Sequence, residues 1–282
     1  QMKHPFLMVV LTFCVFSQYT FSQETVTNPE KYTSKNKGKF YIFWGGNRES
    51  YSKSDIHFKG ADYDFTLYDV EAHDKPKGYH VDYINPARMT IPQTNLRIGY
   101  FITDHYNISI GFDHMKYVMY QNGTVNYSGY YPNVGTYNEN PTADELTLDE
   151  DFLTFEHTDG LNYVNTEFSR VDDISSLFKI PNTDKFQINI TEGVGAGFLY
   201  PKTNTTLLGK ERHDDFNVAG FGLAAKVGLN FTFFKYFFIQ TELKGGYIEM
   251  NNIRTTKDSA DSAEQNFWFL QRILTIGGIF RI

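Results

Sequence analysis

Apolar and polar residues alternate with a period of two over long stretches of this chain, most plainly at its end. In residues 265–282, Trp268, Leu270, Leu274, Ile276, Phe280 and Ile282 share one parity, and Gln271, Thr275, Gly277 and Arg281 share the other. Successive side chains of a strand point to opposite faces, so the spacing predicts a strand with one apolar and one polar face. Seven earlier segments read the same way. Residues 39–48 place Phe40, Ile42 and Trp44 on one parity, and residues 94–103 set Leu96, Ile98, Tyr100 and Ile102 against Arg97 and Gly99. Residues 106–121, 161–171, 185–200, 217–232 and 235–250 follow, with apolar runs such as Ile108-Ile110-Phe112 and Phe221-Leu223 facing one way. Each segment reaches or approaches the roughly 9–11 residues that a tilted strand needs to cross a bilayer.

The connections order these strands. Two are very short, at Asp104-His105 and around Lys235-Tyr236. Short turns belong to the periplasmic side of a membrane barrel and long loops to the outside. The long stretches 49–93, 122–160, 201–213 and 251–264 are therefore predicted as extracellular loops, with 172–184 a periplasmic turn. The result is an all-β, transmembrane, antiparallel up-and-down β-barrel of eight strands over residues 39–282. The alternating stretch 62–70 is either a hairpin strand within the first loop or a spanning strand. Ten strands would result if it spans together with one from 145–157. A soluble sandwich or lipocalin-like barrel shares the alternation but turns its apolar face inward. The polar parity argues for lipid outside, because Gly193, Gly195, Gly197, Gly220, Gly222 and Gly228 lie on the same faces as mid-strand charges. A narrow eight-stranded interior must fit small residues beside long charged ones. Glu192 and Arg272 fall on the outward parity. An arginine facing lipid at the midplane costs about 2–4 kcal/mol. Either a bulge shifts the register there or the strand offsets differ.

The N-terminal segment changes the cellular setting. Lys3 and His4 precede a mostly apolar run over residues 5–16, too short for a membrane-spanning helix. Thr20 and Ser22 are small residues ahead of a cut before Gln23. Residues 1–22 are thus predicted as a signal peptide and residues 23–38 as a flexible periplasmic leader. The single cysteine, Cys14, lies in the signal segment, so residues 23–282 have no thiol for a disulfide or a metal. Aromatic residues make up 17% of the chain, which suits girdles at both rims of a barrel. The net charge of −7, with its acids concentrated in the loops, speaks against a nucleic-acid partner.

With the signal segment, the alternating strands, the tight turns and the aromatic last strand, residues 39–282 resemble small bacterial outer-membrane β-barrel proteins. The Gln23 start and tyrosine-rich loops are similar to envelope barrels of Bacteroidetes-type bacteria. The last strand departs from the common pattern of a final Phe, since Arg281-Ile282 follow Phe280. The resemblance implies residence in the bacterial outer membrane, with lipid and lipopolysaccharide as surroundings and an envelope protein as a partner.

Three constellations could carry chemistry. Arg97, Glu167, Lys226, Glu242 and Lys244 have inward parity on four strands. Buried charges must pair, so they predict a network that fills the barrel; an ion pathway is the alternative, for which eight strands leave little room. Asp113 ends the third strand, and His157 and Asp159 precede the fourth. A histidine beside carboxylates can move protons, since imidazole titrates near neutrality. These residues are the candidate catalytic set of an outer-leaflet hydrolase, similar in plan to lipid A deacylases and omptin-type proteases. Tyr127, Tyr130, Tyr131 and Tyr137, set among Asn, Gly and Ser, offer rigid contact area and form a candidate binding surface. His57, His73, Asp74 and His80 do not match zinc spacing, and Asp62, Asp64 and Asp69 match no calcium-loop repeat, so no metal and no cofactor are expected. No phosphate-cradling glycine loop, Gly-x-Ser-x-Gly elbow or His-Glu-x-x-His occurs. The balance favours a non-enzymatic binding or structural role, with the hydrolase as the alternative.

Overall fold

Strand pairing closes a ring. The computed structural model describes residues 31–78, 92–132 and 144–282, so the expected signal peptide, Tyr137 and His80 lie outside the described residues. The chain divides into Gln1–Lys31 and Tyr32–Ile282, and the barrel belongs to the second unit. Its strands are β1 (Lys39–Tyr51), β2 (Thr94–Phe101), β3 (Tyr106–Met115), β4 (Leu161–Asp173), β5 (Phe186–Leu199), β6 (Gly220–Phe233), β7 (Phe237–Arg254) and β8 (Ser262–Arg281). Neighbours in sequence pair antiparallel around the ring. Closure comes from β1 against β8, with Lys39 opposite Arg281 and Tyr51 opposite Phe269. Eight strands form the barrel. The stretch that could have added a ninth, Asp64–Val70, is a hairpin strand outside it, paired with Ser54–Lys59.

The facing of the strands follows their parity. Ile98, Ile110, Val194, Leu223, Leu274 and Ile276 are all more than half exposed on the outside. Inside, Asn95, Arg97, Glu167, Lys226, Glu242, Lys244 and Gln271 are buried. A closed ring satisfies every strand edge, and an apolar exterior over a polar interior is the inverse of a soluble barrel. The protein is therefore a membrane-spanning barrel of the outer-membrane type. Aromatic pairs mark the periplasmic rim, with Phe40 against Tyr100 at 4.8 Å and Tyr106 stacked on Phe168 at 5.4 Å. On the outer side Tyr247 meets Trp268 at 5.2 Å and Tyr200 stacks on Phe216 at 5.3 Å. The turn from β6 to β7 is tight, with Phe234 and Lys235 at φ 52° and 74°. Two successive left-handed residues match the twist of an antiparallel pair.

Arg272 and Glu192 keep their outward parity, and no bulge occurs beside either, because the pairing of β8 and of β5 runs unbroken through them. The difference lies in depth. Arg272 stands eight residues above Phe280, or roughly 20 Å along the barrel axis for a tilted strand. The apolar band is about 25 Å tall, so this arginine reaches its outer edge rather than the midplane. Glu192 stands directly opposite Arg170 on β4, so its charge faces an opposite one.

The described parts of the outer loops are folded into strands. β7 and β8 run for 18 and 20 residues, past the membrane. The upper end of β8 pairs with Ser54–Lys59, and the sheet continues through Asp64–Val70 and Thr124–Tyr130 to Glu145–Thr147. A second sheet orders Asn204–Leu207, Leu153–Glu156, Val118–Met119 and Ala72–His73. The two sheets face each other across aromatic contacts, Phe58 to Phe155 at 5.6 Å and Phe65 to Phe152 at 5.9 Å. This apolar core runs down without a break to Tyr163 and Phe269 in the barrel mouth. The described parts of the stretches expected as extracellular loops thus form a cap with its own core.

The periplasmic end is ordered as well. Residues 23–38 were expected as a flexible leader, yet their described part makes specific contacts. Thr33 is buried and donates through its backbone N–H and its hydroxyl to Asp184 Oδ1, at 3.1 and 2.9 Å. Lys39 Nζ donates to the carbonyl of Tyr32 at 2.8 Å. Residues 32–38 lie against the turns at Asp104 and Asp184, whose polar groups offer hydrogen bonds.

Candidate functional site

The lumen is filled in three layers. Tyr41, Phe43, Phe101 and Phe238 pack near the periplasmic end. The cap core occupies the outer end. Between them lie six charged side chains. Arg97 comes from β2, Asp113 from β3, Glu167 from β4, Lys226 from β6, and Glu242 and Lys244 from β7. Each sits at an inward position of its strand, so register alone brings them to one level.

Glu167 is the hub. Its Oε1 lies 2.9 Å from Arg97 and 2.7 Å from Lys244, and its Oε2 lies 2.7 Å from Lys226. Lys226 also meets Glu242 at 2.7 Å, and Lys244 meets Asp113 at 2.7 Å. Arg97 completes the set with Ser109 Oγ at 3.2 Å and Asn165 Oδ1 at 2.7 Å. Three cations face three carboxylates, so the layer is neutral. Charges taken out of water cost several kcal/mol each and are tolerated only when paired this closely. The five residues expected to form an interior network are all in it. Asp113 is a sixth member, expected instead in a catalytic set; its inward parity beside Arg97 was the available signal.

Gly111 makes room for this layer. A Cβ at that position would lie 2.5 Å from the Arg97 guanidinium carbon. Gly111→Val is expected to displace Arg97 from Glu167 and lower stability by about 1–3 kcal/mol, the cost of overpacking. A reduced midpoint of urea unfolding in lipid vesicles would register it, and an unchanged midpoint would refute it.

The candidate catalytic residues are not brought together. Asp113 is held in the lumen by Lys244 and by the amides of Asn95 and Asn165, at 2.7 and 3.0 Å. His157 is fully buried in the cap core, between Phe155 and Tyr117 at ring distances of 5.0 and 5.7 Å. Its Nδ1 lies 3.0 Å from Thr203 Oγ1, and its Nε2 has no hydrogen-bond partner. Burial pushes this imidazole down to about 3, so it stays neutral. Asp159 is exposed and faces Lys202 at 3.6 Å. Among the described residues no carboxylate bonds to His157. Strand adjacency was read correctly, but the chain between the strands folds into the cap and carries His157 into its core.

The tyrosines separate in the same way. Tyr127 and Tyr131 are buried, at 8% and 4% exposure, and belong to the cap core. Tyr130 is 49% exposed, and Tyr68 beside it joins Ser128 through its hydroxyl at 2.7 Å. Alternation within Thr124–Tyr130 decides this, since one face of that strand covers the core. His57 pairs with Asp64 at 2.8 Å, and His73 Nδ1 lies 2.8 Å from the Asp74 carbonyl. Among the described residues no three His, Cys, Asp or Glu side chains are placed to share a metal.

No family model matches the sequence, and no curated protein matches it. The chain is similar to the solved structure of the outer membrane protein OprG from Pseudomonas aeruginosa, with 9% identity, 89% of this chain and 99% of that chain covered, and a TM-score of 0.41. It is also similar to the N-terminal β-barrel domain of Pseudomonas aeruginosa OprF, with 10% identity, 86% and 98% covered, and a TM-score of 0.30. Against the outer membrane protease OmpT from Escherichia coli the identity is 8%, with 92% and 100% covered and a TM-score of 0.25. The assignment to membrane barrels comes from the closed ring of strands and its apolar exterior.

Proposed function

We propose that this barrel is a non-enzymatic outer-membrane scaffold that presents its cap to an envelope partner. The observation that carries the reading is the double closure of the lumen, by the charged layer at mid-height and by the aromatic cap core above it. Both features argue against a water-filled channel. The ordered cap instead holds exposed Tyr68 and Tyr130 on its strands and Tyr120 just past Val118–Met119, at 36%, 49% and 51% exposure. Rigid aromatic side chains give contact area at low entropic cost. The last cap strand, Glu145–Thr147, pairs on one side with Thr124–Asn126, and strand addition is a common mode of partner binding.

Two measurements on the full-length protein test this. In planar bilayers the barrel is expected to give no conductance steps, and a steady open channel would refute the scaffold reading. A photo-crosslinking amino acid at Tyr130 is expected to give one discrete protein adduct in intact cells. The same probe at lipid-facing Ile110 is expected to give none. Equal labelling from both positions would remove the cap as the binding surface.

A further inference from the structure

We propose that Glu49 and Asp74, with the amide oxygens of Gln93 and Gln271, hold one hard divalent cation, calcium or magnesium, at the seam between barrel and cap. Glu49 lies on the inward face near the outer end of β1 and stands opposite Gln271 of β8. Asp74 directly follows the cap strand Ala72–His73, and Gln93 directly precedes β2. Glu49, Gln93 and Gln271 are all buried. The carboxylates are drawn to one place. Gln93 donates through the same Nε2 to Glu49 Oε2 and to Asp74 Oδ1. The backbone N–H of Glu49 donates to Asp74 Oδ2 at 3.1 Å, and Gln271 Nε2 donates to Glu49 Oε1 at 3.1 Å.

The contrast with the mid-barrel layer makes the pair informative. There every carboxylate has an ammonium at 2.7 Å. Here, among the described residues, no lysine or arginine forms an ion pair with Glu49 or Asp74. Arg48, on the outward face of β1, and Lys116 act on the pair only from a distance. Glu49 is buried with Asp74 half-buried beside it, and two carboxylates this close repel unless a cation or a shared proton stands between them. The second observation selects the cation. The oxygens of the Gln93 and Gln271 amides, the same two amides that touch the carboxylates, are buried and accept no hydrogen bond. The amides now turn their N–H groups to the carboxylates; one shared proton satisfies at most one amide oxygen, whereas a cation takes carboxylate and amide oxygens together once each amide exchanges its N–H2 for its oxygen. The set holds only oxygen, which suits calcium or magnesium rather than zinc or copper. Two carboxylates fall short of a three-acid cluster; the amides and water complete the six to eight ligands that calcium accepts. Asp74 belongs to the cap and Glu49 and Gln271 to the barrel, so the ion joins one to the other.

The test uses the full-length barrel folded in lipid vesicles, stripped with EDTA and titrated calorimetrically with CaCl2 and with MgCl2. One cation per chain is expected from at least one of the two salts, together with greater protease resistance of the cap. Glu49→Gln and Asp74→Asn are each expected to weaken binding by more than about tenfold, while Glu264→Gln, on an exposed cap position, leaves it unchanged. If Glu49→Gln fails to fold, Asp74→Asn carries the test, because Asp74 belongs to the cap and to no strand of the ring. Absence of saturable heat from both salts overturns the proposal. So does a cap that resists protease better at pH 5 than at pH 7.5 and is indifferent to either salt, since that identifies a shared proton. Retained affinity in both variants would also overturn it.

Discussion

Glu167→Gln is expected to destabilise the barrel by about 3–5 kcal/mol, the usual cost of removing one partner from a buried ion pair. The side chain keeps its volume, so the effect is electrostatic. Glu167 contacts Arg97, Lys226 and Lys244 at 2.7–2.9 Å, and without its charge three cations face two carboxylates. Urea unfolding in vesicles, followed by tryptophan fluorescence, measures the loss. A second substitution separates charge from packing. In Glu167→Gln with Arg97→Met, two clean pairs survive, Lys226 with Glu242 and Lys244 with Asp113, each at 2.7 Å. The double variant is expected to recover most of the loss, since buried pairs can be replaced by apolar groups at little cost. A single variant within about 1 kcal/mol of wild type, at the low end for a buried group left unsatisfied, would mean that water reaches the layer.

Phe155→Ala is expected to unfold the cap while leaving the barrel closed. The ring is fully buried between Phe58, Tyr117 and His157, and removing a buried phenylalanine costs about 3–5 kcal/mol. The loss falls on the cap because its two sheets meet there, whereas the ring of strands is tied by its own hydrogen bonds. Limited proteolysis of the folded protein is expected to cut within 54–73 or 145–156 in the variant and to spare those two stretches in wild type. The shift of electrophoretic mobility on boiling, which reports the closed barrel, is expected to persist. Loss of that shift together with the cap would show that barrel and cap unfold as one unit.

The alternation of Phe40 to Trp44, of Leu96 to Ile102 and of Trp268 to Phe280 was enough to place the strands and say which face meets lipid. Register follows from the same pattern, because a one-residue slip would turn every apolar side chain inward. The charged layer was legible for the same reason. Arg97, Glu167, Lys226, Glu242 and Lys244 share inward parity, and at one level of a narrow barrel they must meet. Asp113 carried the same signal, but its place at the outer end of the third strand, beside the segment of His157 and Asp159 that leads into the fourth, pointed to the rim.

The cap was hidden. Its strands are short, such as Leu153–Glu156 and Val118–Met119, and too brief to show a period. Tyr127 and Tyr131 look like surface aromatics until the facing sheet is known. Burial of His157 depends on Phe155 and on Tyr117 at the far end of the same connection, and on Thr203 from another.

By itself, the sequence determined that this protein is an eight-stranded barrel with lipid outside and charge within, because a period of two is a local property written into neighbouring residues. Only the tertiary structure decided that the outer connections close over the mouth, that Asp113 serves the lumen rather than His157, and that Glu49 meets Asp74. Those outcomes depend on pairings between residues dozens of positions apart, for which no local pattern exists.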